Sequence, residues 1–98
     1  MTSGYTVTVS PHFERLAKRL IKQQPDFTKQ FRRAIAILEA DPYNHSRKHP
    51  IRKLTGEQPE NGQWRLRLGL WRFRYDIIDQ TVELKYCGPR REDTYKGH

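Results

Sequence analysis

The sequence predicts an α+β domain in the order β-α-α-β-β-β, with a two-helix hairpin packed on one face of a twisted, mainly antiparallel sheet. Three observations predict it. Two neighbouring segments place apolar residues at helical spacing, the later segments alternate apolar with charged residues, and turn-forming residues separate them. No internal repeat, low-complexity tract or dividing linker interrupts the 98 residues, so 1–98 reads as one domain.

Tyr5 to Val9 alternates apolar residues with threonine and reads as a strand. Ser10-Pro11 follows as an N-cap with proline at the first helical position. Phe13, Leu16, Ala17, Leu20 and Ile21 then form an apolar face, and Arg15, Lys18, Arg19 and Lys22 take the other. Pro25 ends this helix and opens the next, whose stripe is Phe27, Phe31, Ile35 and Leu38. Asp41-Pro42 stops it. So short a connection makes the helices antiparallel neighbours. Residues 41–63 are rich in Pro, Gly, Asn and His and read as a loop, anchored by Ile51 and Leu54.

Period two then takes over. Trp64, Leu66 and Leu68 alternate with Arg65 and Arg67, and Gly69-Leu70 makes a turn. Trp71, Phe73 and Tyr75 alternate with Arg72 and Arg74, and Asp79-Gln80 makes a second turn. Val82, Leu84 and Tyr86 alternate with Thr81, Glu83, Lys85 and Cys87. Residues two apart share a face of a strand. The apolar face should therefore meet the helices, leaving Arg65, Arg67, Arg72 and Arg74 together on the bare side.

Composition narrows the function. Hydrophobic residues make up 35% and charged residues 31%, with a formal net charge of +8. Charge of that size on a small domain attracts polyanions. No apolar run approaches the roughly 20 residues needed to cross a bilayer. Met1 to Ser10 lacks the basic start and apolar core of a signal peptide. The single cysteine, Cys87, suits a reducing cytoplasm and should be a small packed residue. His45 and His49 are four apart but sit among Pro and Asn, so no metal site is expected.

Four guanidinium groups on one face repel one another. Two unit charges 8 Å apart at an effective dielectric of about 20 cost roughly 2 kcal/mol before screening. A fold tolerates that most easily where a polyanion occupies the cluster. The plainer reading is a solvated face with the arginine stems lying over the sheet. Arg90, Arg91 and Lys96, with Tyr95 among them, follow Gly88-Pro89 and could fold over the same face. Arginine suits phosphate and a tyrosine ring suits an unstacked base.

Asp41-Pro42, "KLTG" at 53–56, "WRLRLGLWRFRYDI" at 64–77 and "CGPRREDTY" at 87–95 together resemble the RelE/ParE superfamily of toxins from type II toxin-antitoxin systems. The resemblance covers nearly the whole chain, in order, and implies the RelE-like version of the predicted fold. It also implies an activity: a messenger RNA interferase, a ribosome-dependent endoribonuclease that inhibits translation. In that branch the ribose 2′-OH attacks its own 3′-phosphate, without metal or other cofactor. Arg65 and Arg67 stand where RelE carries two lysines. Arg72 matches the arginine of its "YR" step, Arg90 the arginine after its glycine turn, and Tyr95 its C-terminal tyrosine. His49, in "HPIRKL", stands in a stretch similar to the "EPLK" segment of YoeB-type toxins, where a glutamate is the base. Lys53, Arg74, Arg91 and Lys96 are expected to add RNA contacts.

Arginine for lysine leaves the base open, since a guanidinium stays protonated at neutral pH. Tyr95, His49, and the acids Glu92 and Asp93 are the alternatives; a fourth is that charge stabilisation alone carries the rate. The family further implies an antitoxin partner with an acidic segment, messenger RNA in the ribosomal A site as target, a free monomer in the cytoplasm, and no membrane. ParE-like relatives bind DNA gyrase instead and do not cut RNA; a binding module without catalysis is a third reading.

Overall fold

The computed structural model describes residues 4–56 and 62–89. Its elements are β1 (Thr6–Val9), α1 (Pro11–Gln23), α2 (Pro25–Ala40), β2 (Ile51–Lys53), β3 (Trp64–Leu68), β4 (Trp71–Ile78) and β5 (Thr81–Pro89). Two helices pack against a five-stranded mixed sheet of order β1-β5-β4-β3-β2. The pairing of β1 with β5 is parallel, and every other pairing is antiparallel.

Local chemistry sets the helix ends. The Ser10 hydroxyl accepts a hydrogen bond from the Phe13 amide at 3.1 Å, which satisfies one of the four orphan donors of α1. Pro25 occupies the first position of α2, where its missing N–H costs nothing. Asp26, beside it, suits the positive end of the helix dipole. Its carboxylate also accepts from the Trp71 indole at 3.1 Å, pinning the start of α2 to the start of β4.

Phe13 and Ala17 of α1 and Phe27, Ala34 and Leu38 of α2 are buried against Leu66, Leu68, Trp71, Phe73, Tyr75, Val82 and Leu84. The stripe of α2 runs through Ala34, with Ile37 rather than Ile35 packed beside it. Ile21, expected on the inner face of α1, is 44% exposed. Phe27 joins the layers: its ring lies 5.2 Å from Trp71 and 5.9 Å from Phe73. Burying one such ring contributes about 1.5–3 kcal/mol.

The Tyr75 hydroxyl crosses the core and donates to the Pro42 carbonyl at 2.8 Å. Burial, then the nearby Asp41 charge, pushes this phenol far above its ordinary pKa, so it is always a donor. Tyr75→Phe is expected to lower stability by about 1–2 kcal/mol in urea unfolding, because the buried carbonyl loses its partner.

Two features depart from the expected pattern. β2 lies inside the stretch that composition reads as a loop, and it gives the sheet a fifth strand. Three residues are too few to show alternation against such a background. Secondly, β5 carries a bulge. Phe73 pairs with Cys87 and Arg74 with Tyr86, yet Tyr75 pairs with Leu84, leaving Lys85 as the extra residue. One inserted residue reverses the faces beyond it. Strict alternation puts Tyr86 on the apolar face and Cys87 opposite; the structure reverses both. Cys87 is buried in the core, and burial pushes its thiol up to about 12. It is thus the packed residue expected, held as an unreactive thiol.

Candidate nucleic-acid interface

The face of the sheet turned away from the helices is built in two rows. Arg52 of β2 pairs with Arg65 of β3, Arg65 with Arg74 of β4, and Arg74 with Tyr86 of β5. One step along, Arg67 pairs with Arg72 and Arg72 with Gly88. Residues directly opposite in an antiparallel pair have Cβ atoms about 4.5–5.5 Å apart, where like charges are destabilising. The hairpin of β3 and β4 therefore places Arg65, Arg67, Arg72 and Arg74 together, as the alternation predicts.

Arg65 sits at the centre. Partial burial first, and then the charges of Arg72, Arg67, Arg52 and Arg74, lower its pKa from the ordinary guanidinium value. Its Nε is buried without a hydrogen-bond partner among the described residues. Nor, among those residues, does a carboxylate form an ion pair with Arg52, Arg65 or Arg67. Arg74 is held further along, where its Nη2 donates to the Gly62 carbonyl at 2.9 Å. Gly62 has φ +83° and lies against the β4 backbone: an added Cβ would come within 2.8 Å of the Tyr75 amide nitrogen. That close approach is open only to glycine, and it brings the carbonyl to Arg74.

Among the described residues, the acids of this face stand at its other end. Asp76 pairs with Glu83 across β4 and β5. Asp76 accepts from the Gln63 amide at 2.8 Å, and Glu83 forms an ion pair with Lys85 at 3.1 Å. The face is thus cationic toward the β3–β4 turn and mixed beyond Arg74.

Not every expected site residue joins it. Lys53 pairs with Trp64 on the helix side of the sheet, and its ammonium lies over the Trp64 ring at 5.6 Å. Arg52, its neighbour, takes the place on the arginine face. His49 is also turned elsewhere. Its Nε2 stands 3.9 Å from Asp41 at the end of α2, and its backbone is tied to the Asn44 side chain. Burial opposes the Asp41 charge, but hydrogen bonds from Ser46 and the His45 amide, with the nearby His49, outweigh it and hold the carboxyl below its ordinary value. His49 therefore belongs to the loop after α2, away from the arginine rows. Arg90, Arg91, Tyr95 and Lys96 lie outside the described residues, as do Glu92 and Asp93.

Arg52 and Tyr86 are the members that sequence reasoning misses. Ile51-Arg52-Lys53 does carry a faint signal, one apolar residue beside one arginine. Tyr86 carries none, because a bulge has no fixed residue signature here.

Among the described residues no three His, Cys, Asp or Glu side chains gather to hold a metal. No described helix is long and apolar enough to cross a membrane. Compared with protein-family models, with curated proteins and with solved structures, the chain matches none.

Proposed function

We propose that this protein is a RelE-like messenger RNA interferase, the toxin of a type II toxin-antitoxin system acting in the cytoplasm. One observation carries the reading: two rows of arginine on the sheet face turned away from the helices, with the described acids of that face, Asp76 and Glu83, one step beyond them. Guanidinium groups form forked hydrogen bonds to phosphate oxygens. Preorganised at one place, they stabilise the charge that builds on a phosphodiester when its own 2′-OH attacks. That attack forms a bond from 2′-O to phosphorus and breaks the bond to the 5′ oxygen. A 2′,3′-cyclic phosphate and a 5′-OH result, and the reaction needs no metal. Arg65, Arg67 and Arg72 would grip the scissile phosphate, with Arg52 and Arg74 on the flanking backbone. Arg90, Arg91, Tyr95 and Lys96 are assigned to the same site on the resemblance alone. An acidic segment of an antitoxin would match the charge of this face and silence it.

Brief expression in cells tests the reading. New 5′ ends within messages, mapped by primer extension, are the expected result. DNA breaks trapped on gyrase without new RNA ends would overturn it in favour of the ParE-like activity. RNA binding is also expected to weaken steeply with salt, by about 0.7 in the logarithmic slope for each phosphate held. Binding unchanged between low and high salt would remove the arginine rows from the interface.

A further inference from the structure

Arginine rows can bind and neutralise a phosphodiester, but they are poor proton donors. The cleavage step also needs a proton for the departing 5′ oxygen. The bulge at Lys85 brings a suitable group to the face: Tyr86, in register with Arg74. Gly88 leaves the room that its ring occupies. A Cβ on Gly88 would overlap the Tyr86 hydroxyl and stand only 3.0 Å from Cζ. The phenol therefore reaches back from the first row and lies on the Gly88 backbone, directly across from Arg72. Gly88 is buried under it. Without a side chain there, the hydroxyl comes beside the second row, at the place where the proposed clamp holds the scissile phosphate.

We infer that Tyr86 is the general acid of the cleavage step, an inference that rests on the ribonuclease reading. An ordinary phenol is protonated at neutral pH, so a tyrosine is the type of side chain that can supply this proton. As the 2′ oxygen bonds to phosphorus and the bond to the 5′ oxygen breaks, the departing electron pair takes the Tyr86 proton. The 2′-OH proton passes to bulk water. The resulting phenolate faces guanidinium groups, which stabilise it, and water returns its proton after product leaves. Atoms and charge balance without an outside reagent. Among the described residues, the charged groups around the phenol on this face are Arg72 and Arg74 of β4, Arg65 and Arg67 of β3, and Arg52 of β2. Asp76 of β4 and Glu83 of β5 stand on the far side of the bulge, and Lys85 is the bulge residue. Those two acids are already engaged, Asp76 by the Gln63 amide and Glu83 by Lys85.

The test uses the full chain and ribosomes programmed with two messages. One message is ordinary RNA; the other carries sulfur in place of the 5′ oxygen at the cleaved phosphodiester. A thiolate leaves without protonation, so it needs no acid. Tyr86→Phe is expected to slow cleavage of the oxygen substrate by about 100-fold or more. Cleavage of the sulfur substrate should match wild type within about threefold. Gly88→Ala, which leaves the phenol in the chain but displaces it, should show the same split. Tyr86→Phe that cuts the oxygen substrate at the wild-type rate overturns the assignment. So does an equal loss on both substrates, which would make Tyr86 a positioning residue. Wild-type protein that cuts neither message ends the ribonuclease reading itself, and this inference with it.

Discussion

Replacing Arg65 by methionine is expected to raise stability by about 1–2 kcal/mol while slowing RNA cleavage by about 100-fold or more. The two effects have one cause. Arg65 stands between Arg52 and Arg74, beside Arg67 and Arg72, and partial burial adds to the repulsion it meets. Methionine keeps a long apolar stem, and removes the charge and the buried Nε. The folded state therefore loses a source of strain. The unfolded chain, where the arginines are dispersed in water, gains much less. In the proposed cleavage step the balance inverts, because developing phosphate charge needs the guanidinium that the fold alone would be better without. Unfolding in urea and cleavage of a programmed message measure the two sides separately. The stability gain should shrink as salt rises, since screening already relieves the repulsion in the parent protein. A loss of stability greater than about 1 kcal/mol would show that Arg65 holds the sheet together, and the functional reading of the rows would fail.

Phe73→Ala is expected to cost about 3–5 kcal/mol. Phe73 is fully buried at the centre of β4, stacked on Phe27 at 5.9 Å and near Phe31 at 6.2 Å. The ring is shared by both layers, so neither the helices nor the sheet can close the gap alone. Domains of this size are stable by about 5–15 kcal/mol, so one residue removes a large share of the total. The denaturant midpoint should fall with little change in slope. Leu70→Ala is the control: Leu70 is 64% exposed at the β3–β4 turn, and its loss should stay within about 0.5 kcal/mol.

Much of this architecture is legible where local chemistry and burial agree. Ser10-Pro11 and Pro25 mark both helix starts because capping and fixed proline geometry act within a single turn. Leu66, Phe73 and Val82 mark the inner face because they alternate with charged or polar neighbours on strands of adequate length. The arginine hairpin follows from the same alternation. β2 escapes because three residues held by a neighbouring strand need no pattern of their own. Tyr86 escapes for a sharper reason: pairing across the sheet inserts Lys85 as a bulge, and the faces of the remaining β5 residues exchange. Lys53 and His49 carry the right chemistry in the right stretch, yet strand register turns one toward Trp64 and the end of α2 draws the other toward Asp41. Residue type suggests a site, but parity along a strand decides membership.

The parallel pairing of β1 with β5 has a consequence for synthesis. Thr6 meets Thr81 and Val9 meets Leu84, so the first strand finds its partner only in the last. β5 also fills the gap between β1 and β4 and lies beneath α1. A nascent chain that has not reached Thr81 has no seat for its first strand and no floor for its first helix. Such distant pairings also close slowly. The sheet that carries the cationic face thus closes only after translation has delivered β5.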